Sequence, residues 1–142
     1  MRTIKFRGRD GNWHYGSLIQ YKSGDVAIAN FERYGYECST MSRINVDPET
    51  VGQFTGLVDK NGREIYEGDF INYDGSTWGG VVQWHPNGYF FINDSYGKKY
   101  PRCDRYRALG DMLDGRPLVV VGNIHDNPEL IKKGGNDESD VH

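Results

Sequence analysis

The sequence predicts a mainly β protein: an antiparallel sheet region at the N-terminal end, then a small antiparallel barrel or sandwich. Three observations carry this. Nineteen Gly and ten Tyr against three Met favour hairpins and tight turns over a helical bundle. Short runs of apolar/polar alternation recur along the chain. Clusters of Gly, Asn, Asp and Pro separate these runs at regular spacing.

The elements follow in order. In residues 2–9, Ile4 and Phe6 alternate with Lys5, Arg7 and Arg9, the pattern of a half-buried strand with a basic outward stripe. Arg9-Asp10-Gly11-Asn12 reads as a turn, and Trp13, Tyr15, Leu18 and Ile19-Gln20-Tyr21 as a second strand. Lys22-Ser23-Gly24-Asp25 turns into a short strand, Val26-Ala27-Ile28-Ala29. Residues 32–37 are aromatic and polar around Gly35. Residues 44–50 read as a connector, because Asp47-Pro48 favours a turn. An internal boundary is therefore expected near residue 50. From Val51 to Ile71 the reading is strand, turn, strand, tight turn, strand. In Asp59-Lys60-Asn61-Gly62, Asp caps, Asn tolerates unusual backbone angles and Gly supplies positive φ. Glu67-Gly68-Asp69 re-aims the chain into Phe70-Ile71. Strands are expected at Gly79-Gly80-Val81-Val82-Gln83-Trp84 and at Tyr89-Phe90-Phe91-Ile92, joined by the turn His85-Pro86-Asn87-Gly88. Gly79-Gly80 is assigned to a bulge or bend. A short helix is expected over 104–113, with Asp104 as N-cap and Tyr106, Leu109 and Leu113 on one face. Leu118-Val119-Val120-Val121 is a buried strand, and Asn127-Pro128-Glu129-Leu130 a closing helical turn that Pro128 opens. Residues 132–142 are polar and acidic, a tail expected to be disordered.

Composition bounds the function. A chain of 142 residues makes one domain, or two small ones sharing a core, and needs no disulfides to bury it. Lys and Arg number 17 against 20 Asp and Glu, a net charge of -3. That balance argues against a globally basic nucleic-acid binder and leaves room for a local patch. Cys38 and Cys103 are far apart and belong to no CxxC pair, so two free thiols in a reducing cytoplasm are expected. No apolar run approaches the ~18 residues of a membrane span, and no secretory leader opens the chain. The expectation is a cytoplasmic protein with no membrane partner.

Several ordered blocks resemble one family. They are Ile4-Lys5-Phe6-Arg7-Gly8-Arg9-Asp10, Gly52-Gln53-Phe54-Thr55-Gly56-Leu57, Asp59-Lys60-Asn61-Gly62, Ile65-Tyr66-Glu67-Gly68-Asp69, and Val121-Gly122-Asn123-Ile124-His125-Asp126-Asn127-Pro128-Glu129-Leu130. Together they are similar to the YopX family, phage- and prophage-associated proteins of uncharacterised function. The resemblance reaches over nearly the whole chain, with residues 11–50 and the tail outside its blocks. It implies an SH3-like small barrel for the C-terminal half. The domain expectation is therefore an N-terminal β region over 1–50, an SH3-like barrel over 51–131 and the tail over 132–142.

The sequence shows no GxSxG, HExxH, Walker loop or GxGxxG. Glu67 and Asp69, at two-residue spacing, could together hold a hard cation. The intervening Gly68 favours the other reading, carboxylates that stabilise a turn. His14, His85, His125 and His142 lack ligand spacing. His125 beside Asp126 has the form of an oriented base, yet no nucleophile accompanies it, so a structural histidine is preferred. A zinc site joining Cys38 and Cys103 to a histidine is disfavoured for want of local spacing. No cofactor and no metal are expected. The cluster Lys98, Lys99, Tyr100, Arg102, Arg105, Tyr106 and Arg107, opposed only by Asp104, gives the one candidate nucleic-acid surface. Lys5, Arg7 and Arg9 are a second cationic element, and Tyr89, Phe90 and Phe91 are rings that could stack bases. Strand packing and solvated loops account for the same residues and are preferred.

The functional expectation is a non-enzymatic, oligomeric interaction or accessory module. It would assemble with copies of itself or with a phage or host protein, through the aromatic-rich residues 11–50. The alternative is a nucleic-acid-binding accessory protein using the patch over 98–107.

Overall fold

In a computed structural model, residues 1–34, 38–76, 78–94, 96, 108–115 and 117–131 are described. The chain is mainly β and forms two antiparallel sheets. It divides into two compact units, Met1–Gly56 and Leu57–His142.

The first unit is built on β1 (Phe6–Arg9), β2 (Trp13–Gln20), β3 (Val26–Tyr34), β4 (Cys38–Val46) and the start of β5 (Gly52–Val58), in the sheet order β4-β3-β2-β1-β5. β2 is shared along its length. Its first half pairs with β1, Arg9 opposite Trp13 and Arg7 opposite Tyr15. Its second half pairs with β3, Leu18 opposite Ile28. Alternation then places Phe6, Leu18, Val26, Ile28, Ile44 and Val46 on one face, where they cluster with Val51. Gly8 belongs to that face, because a Cβ there would lie 2.6 Å from Val46 Cγ2. A 3-10 turn at Pro48–Thr50 is capped by Asp47, whose carboxylate accepts the Glu49 N–H at 3.0 Å. The Thr50 hydroxyl accepts from the Arg9 N–H at 2.9 Å, which ties the turn back to β1.

Two expectations change here. Residues 30–34 extend β3 beyond the short strand expected, and residues 44–46, expected in a connector, belong to β4, in an unbroken ladder from Val26 opposite Val46 to Tyr34 opposite Cys38. Nor is the basic stripe solvated. Arg7 is only 6% exposed, and Ile4, expected inside, is 60% exposed. The guanidiniums of Arg7 and Arg9 lie 4.7 and 5.5 Å from the Trp13 ring centroid, and the Lys5 ammonium 5.1 Å from that of Phe54. Aromatic rings on the flanking strands turn that face into cation–π packing.

In the second unit β5 runs on into a hairpin with β6 (Glu64–Tyr66). A four-stranded sheet follows in the order β10-β7-β8-β9, from β7 (Asp69–Tyr73), β8 (Gly79–His85), β9 (Tyr89–Asn93) and β10 (Leu118–Asn123). Among the described residues these strands do not close into a barrel, so the fold is mainly β without the SH3-like closure. The core consists of Ile65, Ile71, Val82, Ile92, Leu118 and Val120, with Leu109 from helix α1 (Leu109–Gly115). The helix starts later than expected, because Ala108 is still engaged in a bridge to Phe91. Leu109 and Leu113 do face the core. Asp104 and Tyr106 lie outside the described residues, as does the tail. Gly79 and Gly80 form no bulge. They pair in register with Asn72 and Ile71, and a Cβ on either would collide with neighbouring backbone oxygens. The bulge lies instead in β10, between Val120 and Gly122.

Candidate functional site

The motif residues of the second unit converge on a clasp. Asp59 is 5% exposed and opens the β5–β6 turn. Its Oδ1 accepts the N–H groups of Asn61 and Arg63 at 2.8 and 2.9 Å. Its Oδ2 accepts the Val120 N–H at 3.0 Å, so one carboxylate holds the hairpin to β10. The adjacent Lys60 N–H donates to the Leu118 carbonyl at 3.0 Å. Gly68, at φ 93°, makes the sharp turn between β6 and β7. Its N–H donates to the Val82 carbonyl at 2.8 Å, and its carbonyl accepts from the Ile124 N–H at 3.0 Å. Asp69, 2% exposed, accepts the Tyr66 N–H at 2.8 Å across that turn. Buried carboxylates that accept backbone N–H groups satisfy donors the turns would otherwise leave unpaired.

The closing motif works in the same way. Asn123 Oδ1 accepts the His125 and Asp126 N–H groups at 3.0 and 2.9 Å, and its Nδ2 donates to Asp126 at 3.0 Å. Asn127 Oδ1 accepts the Asn123 N–H at 3.1 Å. Gly122 admits this arrangement, since a Cβ there would run into the Asn127 side chain. The carboxylates of Asp59 and Asp69 and the side-chain oxygens of Asn123 and Asn127 are thus taken up by backbone N–H groups.

The remaining candidates do not gather. His14 hydrogen-bonds Asp10 at 2.7 Å in the first turn, and this holds the Asp10 carboxyl below its usual value. His85 Nδ1 accepts the Asn87 N–H at 3.0 Å, and its ring stacks on Tyr89 at 4.6 Å. Phe90 meets Trp84 edge-on at 4.8 Å and packs against the core, while Phe91 is 6% exposed. No group of three or more His, Cys, Asp or Glu among the described residues is placed to hold a metal. The patch of Lys98, Lys99, Tyr100, Arg102, Arg105 and Arg107 lies outside the described residues, as do His142, Cys103 and the Cys38 side chain.

Within residues 11–50, the region the sequence points to for contacts, the β3–β4 hairpin carries a surface that the sequence does not single out. Val26, Ala27, Ile28 and Ala29 are buried, but from Asn30 to Arg33 and from Thr40 to Arg43 every residue is exposed. β2 pairs with β3 only over Val26–Ala29, so the rest of the hairpin stands as a two-stranded arm. Phe31 and Met41 face each other across it, 65% and 49% exposed. At its base Arg43 donates to the Tyr21 hydroxyl at 3.0 Å.

The family model described as YopX protein matches residues 5–132. The chain belongs to the YopX family. In this YopX-family chain the matched span takes in the clasp, the closing motif and the arm. A crystal structure of protein EF1440 from Enterococcus faecalis is similar, with a TM-score of 0.63 and 25% identity over 92% of this chain and 99% of that one. No curated protein matches the chain.

Proposed function

We propose that this YopX-family protein is a non-enzymatic interaction module that assembles with copies of itself through the β3–β4 arm, as a phage- or prophage-derived accessory protein of the host cytoplasm. The observation that carries this is the exposed pair Phe31 and Met41 on a hairpin whose outer strand, β4, is a sheet edge. Open edges with unpaired backbone groups template pairing with another chain. Native edges are protected by Lys, Pro or bulges. β4 has none of these: its ladder with β3 is unbroken, and Arg43 is its one charged residue.

Magnitudes bear on which features must take part. Burying a Phe or Met side chain contributes about 1.5–3 kcal/mol. Phe31 and Met41 are 65% and 49% exposed, so a two-fold contact that covers what remains of each, twice, contributes roughly 3–7 kcal/mol in all. That barely enters the ~4–15 kcal/mol range of the cost of association. Backbone pairing along β4 therefore has to contribute as well.

The test is a double variant, Phe31→Ser with Met41→Ser, measured by light scattering after chromatography. The expected result is a fall to the monomer mass with the β-sheet circular dichroism retained. An unchanged assembly would refute the arm as the contact. The same reading predicts no salt-sensitive retention of oligonucleotides. Retention that weakens steeply with salt would favour the nucleic-acid alternative and the cluster of Lys98, Lys99, Arg102, Arg105 and Arg107.

A further inference from the structure

Asn-Gly occurs twice in the chain, at Asn61-Gly62 and Asn87-Gly88. Both pairs sit in turns of one design. Each joins two antiparallel strands through three residues, between Asp59 and Arg63 and between His85 and Tyr89. Each has Gly last, at φ 79° and 95°. In each the residue before the turn accepts the Asn N–H through its side chain, and the Gly N–H through its carbonyl at 3.0 and 2.9 Å. Both Asn side chains are exposed. The Asn-Gly pair and the turn geometry are therefore matched, while the flanking residues differ.

What differs is where the turn is tied. Asp59 also accepts the Arg63 and Val120 N–H groups, and Lys60 donates to Leu118, so the first turn is fastened to β10. In the second, the Asn87 and Gly88 amides both close on His85, within the hairpin itself. Its side-chain acceptor is an imidazole in place of a buried carboxylate.

We infer that Asn87 is a site of spontaneous deamidation through attack by the Gly88 nitrogen, and that Asn61 is shielded from the same reaction by its ties to β10. The backbone nitrogen of Gly88 bonds to Cγ of Asn87 and loses its proton to solvent. Nδ2 takes up a proton and leaves as ammonia, giving a cyclic imide. Water then opens the ring at either carbonyl, leaving aspartate or isoaspartate. Ring closure requires the Asn backbone to leave its turn conformation, which breaks the Gly N–H bond to the preceding carbonyl. At Asn61 it also strains the bonds to Val120 and Leu118. One or two additional net hydrogen bonds correspond to about tenfold or more in the opening equilibrium. The product places a carboxylate beside His85, and the isoaspartate form adds a backbone carbon that disturbs the pairing of His85 with Tyr89.

The test incubates the intact protein in mildly alkaline buffer and maps peptides by mass spectrometry over time. A gain of one mass unit is expected at Asn87 about tenfold faster than at Asn61. Asn87→Gln should remove the fast component. In guanidinium chloride the gap should collapse, since the ties of the first turn to β10 are lost. Equal rates in the native protein, faster conversion at Asn61, no conversion at Asn87, or a gap that persists in denaturant would each overturn the inference.

Discussion

Replacing Asp59 by Asn tests the clasp with almost no change in shape. The carboxylate has two acceptor oxygens serving three N–H donors, on Asn61, Arg63 and Val120. An amide has one acceptor. If its oxygen keeps the turn, its Nδ2 meets the Val120 N–H donor to donor. If it flips, Val120 is satisfied and the two turn donors are lost. The lesser loss leaves one buried N–H unpaired and removes a charge-assisted bond, about 2–3 kcal/mol. Against a typical domain stability of ~5–15 kcal/mol that is a large fraction. Urea denaturation should show the free energy of unfolding falling by this amount, and hydrogen exchange should show the Val120 amide losing protection. A change under about 0.5 kcal/mol with Val120 still protected would refute the assignment, because that is the scale of a surface substitution.

Other perturbations have equally definite outcomes. Gly62→Ala should cost about 1–2 kcal/mol in denaturant, since open space surrounds the site and only the backbone at φ 79° is strained. Gly62→Val should cost more and unfold the hairpin region, so a soluble, fully stable Val variant would contradict the turn. Gly8→Ala should cost about 1–3 kcal/mol by overpacking against Val46; a neutral result would mean that β1 shifts freely. Asp10 titrates below its usual value because His14 hydrogen-bonds its carboxylate. A depressed folded-state pKa gives stability that is present above the unfolded value and lost as pH falls through the folded one. His14→Ala should therefore move Asp10 back up in an NMR titration, and no upward movement would exclude the pairing as the cause.

The turns of the second unit were legible in the sequence because turn chemistry is local. Asp59 to Gly62 and Glu67 to Asp69 announce their geometry within a few residues. Their attachments were not legible: nothing near Asp59 indicates that Val120 donates to it, since that contact depends on register in the folded sheet. The β3–β4 arm was missed for a different reason. Period-two alternation records a buried face, and from Asn30 to Arg33 the strand buries neither. A ribbon that buries neither face leaves little trace in hydrophobicity. The grouping of Lys5, Arg7 and Arg9 on one face was readable from alternation, but their packing was not. Trp13 and Phe54 reach them through strand pairing, so cations expected in water lie over rings. Barrel closure was an extension from family likeness, and it is not present in the β10-β7-β8-β9 sheet.

The turns build the fold, and the exposed arm is the proposed contact surface. The most direct measurement is the mass of the unmodified protein in solution at low and high salt. A single mass at a small multiple of 16.2 kDa, unchanged by salt, is predicted, because an apolar pair with backbone edge pairing is insensitive to screening. A clean monomer at both salt concentrations would contradict self-assembly through the arm.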